Sequence, residues 1–117
     1  MKRIYASTIG IDQGSELLFS DFDTDGEMWA GKGARERRVP VVFSEPFKNI
    51  PNVLVTLEMF DMDQRTNQRA ETVVENITEN GFDIVFRTWG DTKVARARAS
   101  WMAIGGVEAE DNWDEMY

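Results

Sequence analysis

GFDIVFRTWGDTKVARARASWMAIG, residues 81–105, reads as two β-strands joined by a short turn, and the rest of the chain is organised around it. In its first half Phe82, Ile84 and Phe86 alternate with Asp83 and Arg87, the period-two pattern of a strand with one wet face. Trp89 falls in the wet register beside a Gly90-Asp91 turn. A tryptophan displayed there, with arginines nearby, is a candidate floor for a sugar or another flat ligand; the competing reading is a core tryptophan. In the second half Ala95, Ala97, Ala99, Trp101 and Ala103 alternate with Val94, Arg96, Arg98, Ser100 and Met102. One face is small and apolar around a single large ring, and the other presents two arginines. Alanines opposite bulky neighbours are what close packing of one sheet on another requires.

Upstream, Glu79-Asn80-Gly81 is the strongest turn signal, because Asn-Gly tolerates positive φ at both central positions of a tight hairpin. It joins residues 81–105 to a further strand in ETVVENIT, residues 71–78. Asn76-Ile77-Thr78 matches a glycosylation acceptor and is read as chance. VLVTLEMF, residues 53–60, places Val53, Val55, Leu57 and Met59 on one face, and VPVVFSEPF, residues 39–47, suits a strand with proline at its margins. Residues 61–70 are polar enough for a connecting loop. Residues 4–19 carry apolar runs on either side of Asp12-Gln13-Gly14-Ser15, which predicts one or two short strands around a bend.

Residues 20–38 hold no period and are dense in charge and glycine, so they read as a long surface loop, a feature that tends to carry function. Asp21, Asp23, Asp25 and Gly26 follow the order that opens an EF-hand calcium loop. The twelfth position is Lys32, where a bidentate glutamate is required, and neither flank looks helical. Acidic residues satisfying backbone amides in a turn are the better reading, and no metal or other cofactor is expected. Arg35, Arg37 and Arg38 read as a solvated basic cluster pairing with nearby acids.

No stretch sustains a helical period, so the fold class is all-β, and five or six short strands make a small antiparallel β-sandwich the natural architecture. One domain is expected: residues 1–37 supply strand and loop, residues 38–105 the core, and residues 106–117 an acidic tail with Trp113 and Tyr117. With 21 acidic and 13 basic residues and a formal net charge of -8, the chain would bind nucleic acid or an anionic membrane against its own field. There are no cysteines and no histidines, which removes disulfides, thiolate catalysis and the commonest general base. An enzyme would have to run on carboxylates or lysine; Asp61 with Asp63 is the pair to name, on a loop without a pocket-forming element. No signal peptide or membrane span is visible, so the expectation is cytoplasmic synthesis with release by another route or in a particle.

The chain resembles the H-type lectin family over about residues 38–104. The resemblance is carried in order by Phe43-Ser44-Glu45-Pro46-Phe47 with Pro51, by Asn67-Gln68-Arg69, by the Gly81-Phe82 to Thr88-Trp89 segment, and by Ser100-Trp101-Met102-Ala103-Ile104. It implies a six-stranded sandwich that assembles as a homotrimer, or a dimer of trimers, and binds N-acetylgalactosamine or galactose near the subunit boundaries, without catalysis and in roles such as cell adhesion. It also implies that the sugar is held by Arg69, by Trp89, by the position after it, here Gly90, and by the loop Gly31-Lys32-Gly33, with Asp91 beside them. Where an aspartate is expected to accept from sugar hydroxyls the chain has Lys32, which only donates, so an acidic sugar comes into view. The outward arginines Arg96 and Arg98 are candidates for subunit contacts, paired with Glu71 or Glu75. The alternative function is a structural or host-attachment module at the tip of a phage-like spike or fibre.

Overall fold

The computed structural model describes residues 1–109, so most of the acidic tail, with Trp113 and Tyr117, lies outside the described residues. Six strands and one helical turn follow in the order β1 Ile9–Ser20, α1 Glu27–Ala30, β2 Arg35–Val42, β3 Asn52–Met62, β4 Ala70–Glu75, β5 Gly81–Thr88 and β6 Val94–Gly106. They form two three-stranded antiparallel sheets, β1-β6-β3 and β2-β5-β4, the sandwich that the alternation predicts. The two strands of the opening stretch, β5 and β6, are the central strands of the two sheets.

The inner face of β6 is its alanine row. Ala97, Ala99 and Ala103 are fully buried, and Trp101 is the one large ring among them. The bulk comes from the other sheet: Phe82, Ile84 and Phe86 of β5, with Phe43 and Phe47 of the β2–β3 connection, fill the space above the alanines. Phe82 meets Trp101 edge to face, with ring centroids 5.4 Å apart, and Phe43 meets Phe47 in the same way at 5.0 Å. Edge-to-face pairs add stability beyond the area they bury.

Four local expectations are corrected. The polar segment Asp12-Gln13-Gly14-Ser15 does not bend; it runs through a single 12-residue strand. Gly14 lies opposite Trp101, and the indole comes within 2.8 Å of where a Cβ on Gly14 would sit, so the glycine is demanded by the ring and not by a turn. The polar residues keep partners at the sheet edge, since Asp12 Oδ2 accepts from the Ser44 amide at 2.8 Å and its hydroxyl at 3.1 Å.

The second correction is that β2 starts at Arg35, inside the stretch read as loop, because Arg35 and Arg37 continue the inward row of Val39 and Val41. The loop therefore spans residues 21–34 and contains α1, where Asp21 Oδ2 accepts the Met28 N–H at 3.1 Å and Met28 is fully buried.

Third, the positive φ of the β4–β5 turn belongs to Asn76, at 54°, and not to Asn80-Gly81. Gly81 already pairs with Val42, and a Cβ there would clash with the Val41 carbonyl oxygen. Fourth, a register shift between Leu57 and Met59 takes Met59 out of the β3 inner row, and Met62 packs on the core instead.

The outer faces of the sheets differ. On β2-β5-β4, Arg38 donates to Glu75 at 2.7 Å and to Asp83 at 3.1 Å, while Arg87 donates to Glu75 at 2.8 Å and pairs with Glu36 at 3.2 Å. Beneath this network Val85 is fully buried. On β1-β6-β3, Ile9, Ile11, Leu17 and Leu54 are exposed, beside Met102 and Ile104 in register. Arg96 donates to Asp61 at 3.3 Å and Arg98 to the Ser15 hydroxyl at 3.3 Å. Glu71 and Glu75 are engaged by Arg87 and Arg38 of their own sheet.

Gly14→Val is expected to lower the free energy of unfolding by about 1–3 kcal/mol through overpacking against Trp101. Gln13→Val, one residue along on the outer face, should leave it within about 0.5 kcal/mol. Urea unfolding measures both, and equal losses would contradict the packing assignment. A second expectation concerns acid. Hydrogen bonds from Arg38 and then Arg87 hold the Glu75 carboxyl below its ordinary value. Its contribution is complete above the unfolded-state carboxylate value and disappears as pH falls through the lower folded-state value. Glu75→Gln should therefore melt below the wild-type protein at pH 7 and together with it in acid beneath that window, as followed by thermal unfolding across pH.

Candidate functional site

Three connections meet at one end of the sandwich: residues 21–34 before β2, residues 63–69 before β4, and residues 89–93 between β5 and β6. Their geometry is set by two buried threonines and a buried arginine. Thr92 is fully buried; its hydroxyl donates to the Asn67 carbonyl at 2.6 Å and accepts the Arg69 N–H at 3.0 Å. Thr88, also buried, donates to the Arg69 carbonyl at 2.6 Å. The backbone N–H and carbonyl of Arg69 are thus both pinned by threonines that flank the β5–β6 turn.

That turn carries Trp89, Gly90 and Asp91. Asp91 Oδ1 accepts from Asn67 Nδ2 at 3.1 Å and from Arg69 Nη1 at 3.4 Å, and its other oxygen accepts the Asn67 N–H at 3.4 Å. The Asn67 hydrogen bond foremost, with a smaller pull from Arg69, holds the Asp91 carboxyl below its ordinary value. Gly90 has a φ of 70°, the left-handed region where a side chain is strained, and Arg69 Nη1 stands 3.2 Å from where its Cβ would be. The guanidinium therefore lies over a bare glycine.

The third wall comes from the loop before β2. The Gly33 N–H donates to the Gly90 carbonyl at 2.9 Å, and Gly33 itself has a φ of 75°. Arg35 sits beneath. Only 6% exposed, it donates Nε to the Gly33 carbonyl at 2.9 Å, Nη1 to the Met28 carbonyl at 3.1 Å and Nη2 to the Gly90 carbonyl at 3.3 Å. Its partners are carbonyl oxygens and not a carboxylate, and burial pushes the guanidinium below its ordinary value against the opposing charge of Glu27. One buried cation thus ties α1, the loop and the β5–β6 turn together.

Arg69, Gly90 and Asp91 are in mutual contact, with Gly33 against Gly90. Trp89 follows Thr88 out of β5, is 41% exposed, and lines a shallow hollow of about 370 Å³ with Ala34, Arg35, Glu36, Glu71 and Arg87. Gly31 donates its N–H to the Glu27 carbonyl and packs on Arg35 Cδ, so it closes the helical turn. Lys32 is exposed and makes no hydrogen bond or ion pair among the described residues. Arg35 is the residue that sequence reading places in a solvated cluster. Its signal is the period-two continuation of Val41, Val39 and Arg37.

The carboxylates named for other chemistry are engaged elsewhere. Asp21 turns inward to Met28 and Arg37, and among the described residues no three acidic side chains converge. Arg65 donates to both oxygens of Asp63, at 3.0 and 2.9 Å, and with its backbone N–H pulls that carboxyl down to about 2. Asp61 faces Arg96. Among the described residues no helix is long and apolar enough to cross a membrane.

The chain is 54% identical over 114 residues to the protein called ATP synthase subunits region ORF 7 of Fuscovulum blasticum, covering 97% of this chain and 98% of that protein. It is 42% identical over 74 residues to a discoidin-1 polypeptide of Dictyostelium discoideum, covering 62% of this chain and 29% of that one. Recombinant discoidin II of the same organism superposes with a TM-score of 0.73 at 26% identity, over 86% of this chain and 38% of that one. The chain therefore spans about a third of the discoidins that it matches. Residues 38–104 match the H-type lectin domain, and the chain belongs to that family.

Proposed function

We propose that this chain is a non-catalytic lectin whose sugar site is formed by Arg69, Trp89, Gly90 and Asp91 with the loop Gly31-Lys32-Gly33. The observation that carries the reading is the convergence of Arg69, Gly90 and Asp91 beside an exposed tryptophan at one end of the sandwich. A pyranose has a weakly polar face that packs on an aromatic ring and an edge of hydroxyls read by charged groups. Trp89 supplies the ring, Arg69 donors, and Asp91 an acceptor. Galactose-type sugars are the first ligands to try, since the lectin family suggests them. The absence of catalysis is supported by Asp61 and Asp63, each facing an arginine. A carboxyl at about 2 stays ionised and does not serve as a proton donor near neutrality.

A single shallow site binds weakly, and joining copies raises avidity without a new contact. The outer face of β1-β6-β3 is suited to that role. Its exposed Ile9, Ile11, Leu17 and Leu54 contrast with the satisfied ion network on the opposite sheet, and an apolar patch on a folded surface marks an interaction site. We assign the homotrimer contact to this face.

Trp89→Ala and Arg69→Ala are each expected to reduce binding on a galactose and N-acetylgalactosamine array by at least about tenfold, with melting temperatures near wild type. Retained binding in both variants would remove the site. Separately, mass photometry or sedimentation should find three chains in the wild-type particle and one after Leu54→Asp. A monomeric wild-type protein, or a trimer unaffected by Leu54→Asp, would remove the assigned face.

A further inference from the structure

Two exposed cations, Lys32 and Arg69, lie on the connections that meet at Gly90, on a protein whose formal net charge is -8. Lys32 and the outer edge of Arg69 face solvent, and Arg35 lies buried below them. Lys32 is held near Gly90 because its neighbour Gly33 donates to the Gly90 carbonyl, while Arg69 covers the same glycine. Among the described residues Arg69 has a single ion pair, at 3.4 Å, to Asp91. Arg35 adds a buried charge that hydrogen-bonds to carbonyls and is opposed by the charge of Glu27.

The three connections carry six carboxylates, of which Asp21 and Asp63 are paired with Arg37 and Arg65, Asp23, Asp25 and Glu27 lie on residues 21–34, and Asp91 is the one in contact with Arg69. Asp91 already accepts three hydrogen bonds, from the Asn67 side chain and backbone and from Arg69, which leaves only part of its acceptor capacity for a sugar hydroxyl. Glu27 is exposed on α1 and makes no side-chain hydrogen bond among the described residues. Around Gly90 itself the charged donors Arg69 and Lys32 thus meet one carboxylate, Asp91, which is already engaged. A neutral sugar presents hydroxyls that need both donors and acceptors, whereas a carboxylate or sulfate group presents acceptors alone and matches those donors.

Building on the lectin reading above, we infer that the site prefers an anionic sugar, one carrying a carboxylate or a sulfate, over a neutral galactose-type sugar. Lys32 is the residue that sets the preference. Its partner is the ligand's anionic group, and Arg35 strengthens the field from beneath while fixing the loop that carries Lys32.

The test is an array holding galactose and N-acetylgalactosamine beside their uronic-acid, sialylated and sulfated counterparts, probed with wild-type protein and with Lys32→Asp at two salt concentrations. Binding to anionic glycans about fivefold to tenfold tighter than to the neutral ones is expected, falling as salt rises. Lys32→Asp, an exposed change that restores an acceptor, should reverse the order. The carboxylated and sulfated arms separate the two sources of charge. Neutral sugars bound as well as or better than charged ones, or a preference untouched by Lys32→Asp, would overturn the inference while leaving the lectin reading intact. Binding to no glycan at all would remove both.

Discussion

The row of alanines on the inner face of β6 sets the spacing of the whole sandwich. Because Ala97, Ala99 and Ala103 leave almost no thickness on one sheet, the other can carry three large side chains, Phe82, Ile84 and Phe86, in register above them. Trp101 is the exception in the row, and the chain compensates for it locally. Gly14 is bare beneath the indole, and Phe43 and Phe82 meet its faces and edges. Interiors of this density leave little freedom for a side chain of the wrong volume. The central position of β6 then carries the constraint outward, since β1 and β3 both take their register from it.

A sandwich fixed this way leaves its ends to the loops, and at one end a buried charge does the organising. Arg35 is in the inward row of β2, so its guanidinium is withdrawn from water and its donors must be satisfied by protein. The acceptors it finds are carbonyls of α1, of Gly33 and of Gly90. Each of those carbonyls must point inward, which turns the bare backbone of Gly33 and Gly90 toward one another. Thr88 and Thr92 do the corresponding work from the other side, holding the backbone of Arg69. The side chains of the proposed sugar site are therefore on loops, but the loops are tied to central strands.

What is legible in the sequence is periodic. The alternation in β5 and β6 gives the class and both central strands, because one-faced burial forces a period of two. The order of short motifs gives the family. Segments whose meaning depends on a distant partner do not read correctly. Asp12-Gln13-Gly14-Ser15 looks like a break, yet it is strand because β6 supplies its hydrogen bonds and Trp101 needs the glycine. Gly81 looks like a turn residue, yet it is required where the chain passes the Val41 carbonyl. Arg35 looks like surface because arginine usually is, and only carbonyls brought from residues 27–33 and from Gly90 make its burial possible. Of the proposed sugar-site residues, Arg69, Trp89, Gly90 and Asp91 follow from motif order, while the residue that braces them has no motif.

The charge distribution ties recognition to assembly. The sheet β2-β5-β4 neutralises its outer face internally, with two arginines shared among four carboxylates over a buried valine. Such a face is finished and offers little to a partner. The sheet β1-β6-β3 leaves isoleucine and leucine exposed, the surface that a second copy of the chain would cover in the proposed trimer. Arg96 with Asp61, and Arg98 with Ser15, lie at the end of that apolar face nearest the recognition loops. Association on β1-β6-β3 would thus repeat the sites at a fixed spacing. It would also repeat Lys32 and Arg69 at one end of an acidic particle, where the anionic glycan inferred above would meet several copies of both. Weak single sites become selective in this arrangement because only a surface that presents the charged sugar repeatedly gains from all of them.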